Sequence, residues 1–252
     1  MEFYLPLILS LIAGLSTTVG AGFLFLYRNI SKNTLHFFLG LSAGVMLYLS
    51  FIELLPESIH HIGFAFGNVL FFSGIFFMAL VDRFFPHYLL GSSTCTNEQC
   101  DRKLYSTGIM VAIGLALHNF PEGVTVFMGS YVNIEFGTVL ALAITLHNIP
   151  EGIAIAVPIL AATKSKMEAL KYSFLAGIIE PIGGLFAYFI LRPYLETELV
   201  YAIFAAVAGV MVYISFDELL PVCFKCDLKH VPIAGISIGM MIAAFSILFL
   251  NG

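Results

Sequence analysis

The heptapeptide Leu117-His118-Asn119-Phe120-Pro121-Glu122-Gly123 returns further along the chain as Leu146-His147-Asn148-Ile149-Pro150-Glu151-Gly152. Each copy lies inside a long apolar segment, where an ionisable side chain is expensive and marks a functional position by default. On a helix, His118 and Glu122 (i, i+4) and Asn119 and Glu122 (i, i+3) share one face. Proline at 121 or 150 deprives the carbonyl four residues earlier of its donor and bends the helix. The glycine that follows lets a second backbone come close. Imidazole, amide and carboxylate on one wall of a membrane helix read as metal ligands. The plain alternative is a pair of Pro-kinked helices whose polar groups only satisfy each other. One copy would allow that reading; two argue against it.

Outward from this pair the chain is apolar almost throughout. Of its 252 residues 60% are hydrophobic and 11% charged, and the mean hydropathy is +0.97, well outside ordinary globular usage. Runs of about 20 apolar residues, enough to cross a bilayer, recur from end to end. Eight spans are predicted: 4–27, 34–56, 63–85, 104–130, 134–162, 168–191, 197–222 and 231–250. The first lacks a basic start and a small-residue cleavage site, so it is expected to be a retained helix and not a signal peptide. No basic surface for nucleic acid is visible.

The connections carry the topology. Arg28, Lys32, Arg83, Arg102, Lys103, Lys164, Lys166, Lys171, Lys225 and Lys229 all fall on or beside alternate connections; Arg192 falls on the other side. The positive-inside rule then puts both termini outside and the odd-numbered connections in the cytoplasm. Tyr4, Tyr27, Tyr88, Tyr105, Tyr131, Tyr172 and Tyr194 gather at span ends as an interfacial belt, in a chain without Trp.

A second repeat is longer. Ala43-Gly44-Val45-Met46-Leu47-Tyr48-Leu49-Ser50-Phe51-Ile52-Glu53-Leu54-Leu55-Pro56 reappears as Ala208-Gly209-Val210-Met211-Val212-Tyr213-Ile214-Ser215-Phe216-Asp217-Glu218-Leu219-Leu220-Pro221. These copies fall in spans two and seven, which cross the bilayer in opposite senses, as do spans four and five. The expected fold is therefore an all-α polytopic membrane protein of eight transmembrane helices, 3+2+3, with inverted repeats flanking a central pair. It forms one transmembrane transporter domain over residues 1–252. Inverted repeats with polar sites on Pro- or Gly-interrupted helices are a secondary-transporter signature.

The paired His-Asn-x-Pro-Glu-Gly motifs, the eight spans, and Gly177-Ile178-Ile179-Glu180-Pro181-Ile182-Gly183-Gly184 in span six together resemble the Zrt/Irt-like (ZIP) metal transporters, and among them the bacterial zinc importers. The resemblance covers nearly the whole chain. It implies a buried binuclear centre with His118, Glu122, His147 and Glu151 as first-site ligands and Met46 as an addition to them. Asn119, Asn148, Glu151 and Glu180 would form the second site, with Glu122 and Glu151 bridging. Some relatives carry Asp or Gln at the positions of Asn148 or His147, so the second site here is less anionic. The His-rich loop that many eukaryotic members carry after span three is missing from this sequence.

The implied activity is import of divalent metal, Zn²⁺ first, with Fe²⁺, Mn²⁺, Co²⁺ and Cd²⁺ as further substrates, since His and carboxylate ligands accept all of these. No enzymatic activity and no resident cofactor are expected. The expected partners are divalent metal ions, the lipid bilayer and a second copy of the chain in a homodimer, with no nucleic acid. The expected location is the cell membrane, multi-pass, in a bacterial inner membrane. A rival is an intramembrane zinc hydrolase; the chain has His-x-x-x-Glu where such enzymes carry His-Glu-x-x-His. A metal-gated channel or sensor would share the same ligands.

Other residues admit two readings. Met46 is either packing or a soft ligand, and Glu180 before Pro181 is a ligand or a satisfied buried carboxyl. Glu53, Asp217 and Glu218 read as cap residues or vestibule charges. His60 and His61 read as a solvated pair or as an entrance for metal. Cys95 with Cys100, near His87, and Cys223 with Cys226, near Asp227 and His230, fall on predicted cytoplasmic connections, where disulfides are rare. They are spare thiols or accessory metal binders, and neither pair shows a full four-ligand zinc spacing.

Overall fold

The computed structural model describes residues 4–26, 31–83, 98–191, 197–224 and 230–251. Eight helices in it are long and apolar enough to cross a membrane. They are α1 (Tyr4–Phe25), α2 (Asn33–Ile62), α3 (Phe64–Asp82), α4 (Val111–Val132), α5 (Ile134–Thr163), α6 (Lys166–Leu191), α7 (Glu198–Cys223) and α8 (His230–Leu248). Among the described residues there is no strand. The all-α, eight-span expectation holds.

One boundary differs for a physical reason. Span two was expected to end at Pro56, yet α2 runs on to Ile62. Leu49–Leu54 is wound as a π-helix, and the Leu55 N–H bonds the Ser50 carbonyl, five residues back. The wider turn takes up Pro56, which has no N–H to offer. In α7 the second copy does the same: Ser215–Leu219 is π-helical, Leu220 bonds the Ser215 carbonyl, and Pro221 follows. Ser50 Oγ donates to the Met46 carbonyl and Ser215 Oγ to the Met211 carbonyl, both at 2.8 Å. The repeat extends to its helical irregularity. Pro121 and Pro150, by contrast, lie inside uninterrupted helix.

Packing regroups the 3+2+3 order of the sequence into two sets of four. In one set the backbones of α1, α4, α5 and α6 meet at glycines. A Cβ at Gly123 would collide with the Glu180 carbonyl, at Gly152 with Thr17, at Gly183 with Phe120, and at Gly20 with Ile149. Gly14 and Gly177 abut each other's carbonyls. In the other set Gly40 and Gly44 of α2 and Gly235 and Gly239 of α8 bring those two helices together, while Gly74 and Gly209 do so for α3 and α7. Between the sets α5 faces α2 and α8, and α4 faces α7. There, Gly114 meets the carboxylate of Glu218.

These contacts reveal a pseudo-twofold relation of α1 with α6, α2 with α7, α3 with α8 and α4 with α5. Gly14 and Gly177 meet on it, and the asparagines obey it. Asn119 Nδ2 donates to the Ala176 carbonyl and Asn148 Nδ2 to the Ala13 carbonyl, each at 3.0 Å. α5 is the most enclosed helix and α3 the least. Phe64, Phe66, Phe72, Phe76 and Phe77 leave α3 with an apolar outer face, of the kind that hydrocarbon or another apolar surface covers.

Glycine-mediated closeness is testable. Gly14→Ala and Gly177→Ala should each destabilise the purified protein by about 2 kcal/mol, the usual size of overpacking a tight contact. Gly22→Ala, on α1 where a Cβ meets nothing within 4 Å, is the control. Thermal unfolding in detergent measures all three, and equal midpoints would refute the close crossing.

Candidate metal centre

A one-residue turn sets the site. Asn133 caps α5, its Oδ1 accepting from the N–H groups of Glu135 (2.8 Å) and Phe136 (3.1 Å), as an N-cap amide oxygen does. α4 and α5 therefore form a tight hairpin. His118 and His147 stand at near-equal chain distances from Asn133, so the two motifs face each other at one depth.

His118, Asn119, Glu122, His147, Asn148, Glu151 and Glu180 are all fully buried. His147 Nε2 and Glu122 Oε1 hydrogen-bond at 2.8 Å. His118 Nε2 lies 3.0 Å from Glu122 Oε1 and 3.7 Å from Glu151 Oε1. The shorter approach lacks hydrogen-bond alignment, because His118 Nε2 has no such partner. The imidazole centroids are 6.3 Å apart. One ligand atom each from His118, His147 and Glu151 fall within 4.8 Å of one another, a span one divalent ion bridges with metal–ligand bonds of about 2.0–2.2 Å after small adjustments.

The second cluster adjoins it. Asn148 Nδ2 donates to Glu180 Oε2 at 2.7 Å as well as to the Ala13 carbonyl. With both amide nitrogens committed to acceptors, Oδ1 of Asn119 and of Asn148 is the atom left over. Seven residues here hold buried polar atoms without a protein hydrogen bond: both ring nitrogens of His118, Nδ1 of His147, Oδ1 of each Asn, Oε2 of Glu122 and Glu151, and Oε1 of Glu180. Each such atom costs about 1–3 kcal/mol when left unsatisfied. Imidazole nitrogens with amide and carboxylate oxygens form a donor set for a cation.

From the other set of helices α2 brings Met46, fully buried, with its sulfur 3.9 Å from the hydroxyls of Ser42 and Ser215. Ser42 Oγ donates to Glu151 Oε1 at 2.9 Å. Met46 thus stands one side chain away from the first cluster. Ser42 escapes sequence reasoning. It precedes the long repeat by one residue and its counterpart is Val207, so repetition does not flag it.

The remaining candidates disperse. Glu218 lies against Gly114, one turn before His118. His61 is no freely solvated side chain: it pairs with Glu57 at 3.2 Å and stacks on Tyr201 with centroids 3.7 Å apart. Cys223 is buried and its thiol donates to the Leu220 carbonyl. His87, Cys95, Cys226 and Asp227 lie outside the described residues.

The chain is similar to known proteins over nearly its whole length. The family model described as ZIP Zinc transporter matches residues 3–103 and 91–249. Zinc transporter ZupT of Chlorobium limicola is 41% identical over 266 residues, covering 99% of both chains. The protein of that name from Chlorobium luteolum is 42% identical over 265 residues, again at 99% of each. Zinc transporter ZupT of Streptococcus mutans is 40% identical over 258 residues, at 98% of each. With the family model spanning the two repeats and the hairpin between them, the chain belongs to the ZIP zinc transporter family.

Proposed function

We propose that this chain imports divalent metal ions, chiefly Zn²⁺, into the cytoplasm through the buried His/Glu/Asn centre on α4, α5 and α6. The chain is a transporter and not an enzyme, as membership of the family requires. The observation that carries the reading is the set of fully buried, incompletely partnered side chains on the α4–α5 hairpin. Zinc as the main cargo is supported by the names of the relatives and by two imidazoles beside two carboxylates, a donor set that suits it.

In this reading an outward-facing cavity admits the hydrated ion. His118, Glu122, His147 and Glu151 replace its water, with Met46 at the edge of this first site. Asn119, Asn148, Glu151 and Glu180 offer a second, oxygen-rich position, and Glu122 and Glu151 bridge the two. Ligands bind metal deprotonated, so loading displaces protons held there. The set α1, α4, α5 and α6 then shifts against the other four helices until the centre faces the cytoplasm. The basic connections support an orientation with both termini outside; in this reading the membrane is a bacterial inner membrane, and Fe²⁺, Mn²⁺, Co²⁺ and Cd²⁺ are further cargo. A second copy completes a homodimer.

Radioactive zinc uptake into proteoliposomes is the direct test. His147→Ala and Glu151→Ala should bring saturable uptake to background while the protein still inserts. Normal uptake by well-inserted Glu151→Ala protein would sink the assignment, and non-saturable flux in the unaltered protein would favour a channel.

Orientation has its own check. A membrane-impermeant maleimide should leave Cys95 and Cys100 unlabelled in intact cells and label them after permeabilisation. Ready labelling from outside would reverse the topology and with it the direction of import.

Selectivity rests on the asparagines. A neutral amide oxygen gives the second site less negative charge than a carboxylate, and an oxygen-rich site discriminates less against Fe²⁺ and Mn²⁺. Asn148→Asp should therefore change Fe²⁺ and Mn²⁺ uptake more than Zn²⁺ uptake, whereas His147→Ala harms zinc most. Competition assays decide: equal proportional changes for all three metals would show that the positions act as one site.

A further inference from the structure

Ser42 is fully buried on α2, one turn from Met46 and away from α4, α5 and α6, which carry the proposed His, Asn and Glu ligands, and its hydroxyl reaches across to Glu151 Oε1 at 2.9 Å. The other inter-helix hydrogen bonds described above stay within one set of four helices: Asn119 to Ala176, Asn148 to Ala13 and Glu180, His147 to Glu122, and Ser215 to Met46. The Ser42 contact crosses between the sets. Its acceptor is the oxygen of Glu151 that lies 3.7 Å from His118 Nε2, while Oε2 of the same carboxylate has no hydrogen-bond partner.

A carboxylate oxygen has two lone-pair directions. A donor on one fixes the rotation of the whole group and leaves the other for the space between the imidazoles. We infer that Ser42 is a positioning residue for metal capture: its hydroxyl clamps Glu151 across the seam between the two helix sets. The clamp aims the carboxylate in the conformation seen here and must open when the sets move past each other. This rests on the transport reading above, in which Glu151 is a ligand and the sets shift.

Two consequences separate this role from mere packing. First, losing the hydroxyl frees the Glu151 carboxylate to rotate and weakens metal binding. Second, it removes a contact that movement has to break, so turnover at saturating metal does not slow. A packing role predicts the reverse: less folded protein and lower maximal rate at unchanged affinity. The absence of a repeat counterpart, Val207 standing at the matching place on α7, makes the clamp one-sided. It acts on the α5 carboxylate, and Glu122 on α4 is paired instead with both imidazoles.

The experiment uses the full-length purified protein in detergent and in proteoliposomes. Ser42→Ala should raise the zinc dissociation constant and the KM for uptake about ten-fold, the factor a hydrogen bond to a charged group carries, with the maximal rate per folded molecule undiminished. Ser42→Thr, which keeps the hydroxyl, should return the KM toward the starting value. In a Glu151→Ala background Ser42→Ala should change zinc affinity no further. An unchanged KM in Ser42→Ala, or additive losses in the double variant, would overturn the clamp. A double-mutant cycle on the thermal midpoints of the metal-free proteins reads the contact without transport. Coupling between positions 42 and 151 is expected, and additivity refutes it. Failure of the unaltered protein to bind or carry zinc, with that coupling present, would instead strike the transport reading.

Discussion

Hydrocarbon offers no hydrogen bonds, so every polar group buried at the depth of His118 and His147 must be satisfied inside the protein or by what the protein carries. Seven ionisable or amide side chains meet that constraint together. The backbone pays for them through proximity: Gly123, Gly152, Gly183 and Gly20 remove the side chains that would hold α4 and α5 away from α1 and α6. Only at such distances can the amides of Asn119 and Asn148 reach the carbonyls of Ala176 and Ala13. Those two bonds in turn decide which amide atom faces the centre. Small residues, tight crossings and oriented amides form one chain of cause.

The pseudo-twofold relation is broken where it matters chemically. Gly14 would meet the Glu180 Cβ and Gly177 the Thr17 Cβ at the same separation, 3.1 Å. Thr17 is therefore the counterpart of Glu180, an uncharged hydroxyl opposite a carboxylate. Glu180 binds Asn148 directly, and the acidic oxygens collect on that side of the hairpin. Ser42 adds a second departure by acting on Glu151 alone. A duplicated scaffold has thus been given two unlike halves, which differ in the donor atoms they offer to the buried cluster.

Much of this was legible in the chain itself. The His-Asn-x-Pro-Glu-Gly pair named the polar wall, and the 43–56 and 208–221 repeat named the symmetry, because both are written in residue identity. Span ends at Pro56 and Pro221 were harder: proline reads as a stop, and the π-helical turns that absorb it leave no pattern of their own. The regrouping of 3+2+3 into two sets of four was not legible. It depends on which glycine faces which carbonyl, a matter of helix rotation that apolar sequence barely encodes. Ser42 was invisible for a related reason, since a single hydroxyl in a small-residue stretch of α2 looks like packing until Glu151 stands 2.9 Å away.

The two kinds of helix contact have different mechanical consequences. Backbone-to-backbone crossings at glycine are short-range and intolerant of shift, because a displaced carbonyl soon meets a neighbour's side chain. They therefore bind α1, α4, α5 and α6 into one unit, and α2 with α8 and α3 with α7 into pairs. Where α5 faces α2 and where α4 faces α7, the contacts named here run through side chains: Ser42 on Glu151, and Glu218 over Gly114. Side chains change rotamer at far lower cost than helices separate at a glycine crossing. A relative movement that kept the candidate ligands of α4, α5 and α6 together would follow the seam, where the polar contacts spanning it would have to open.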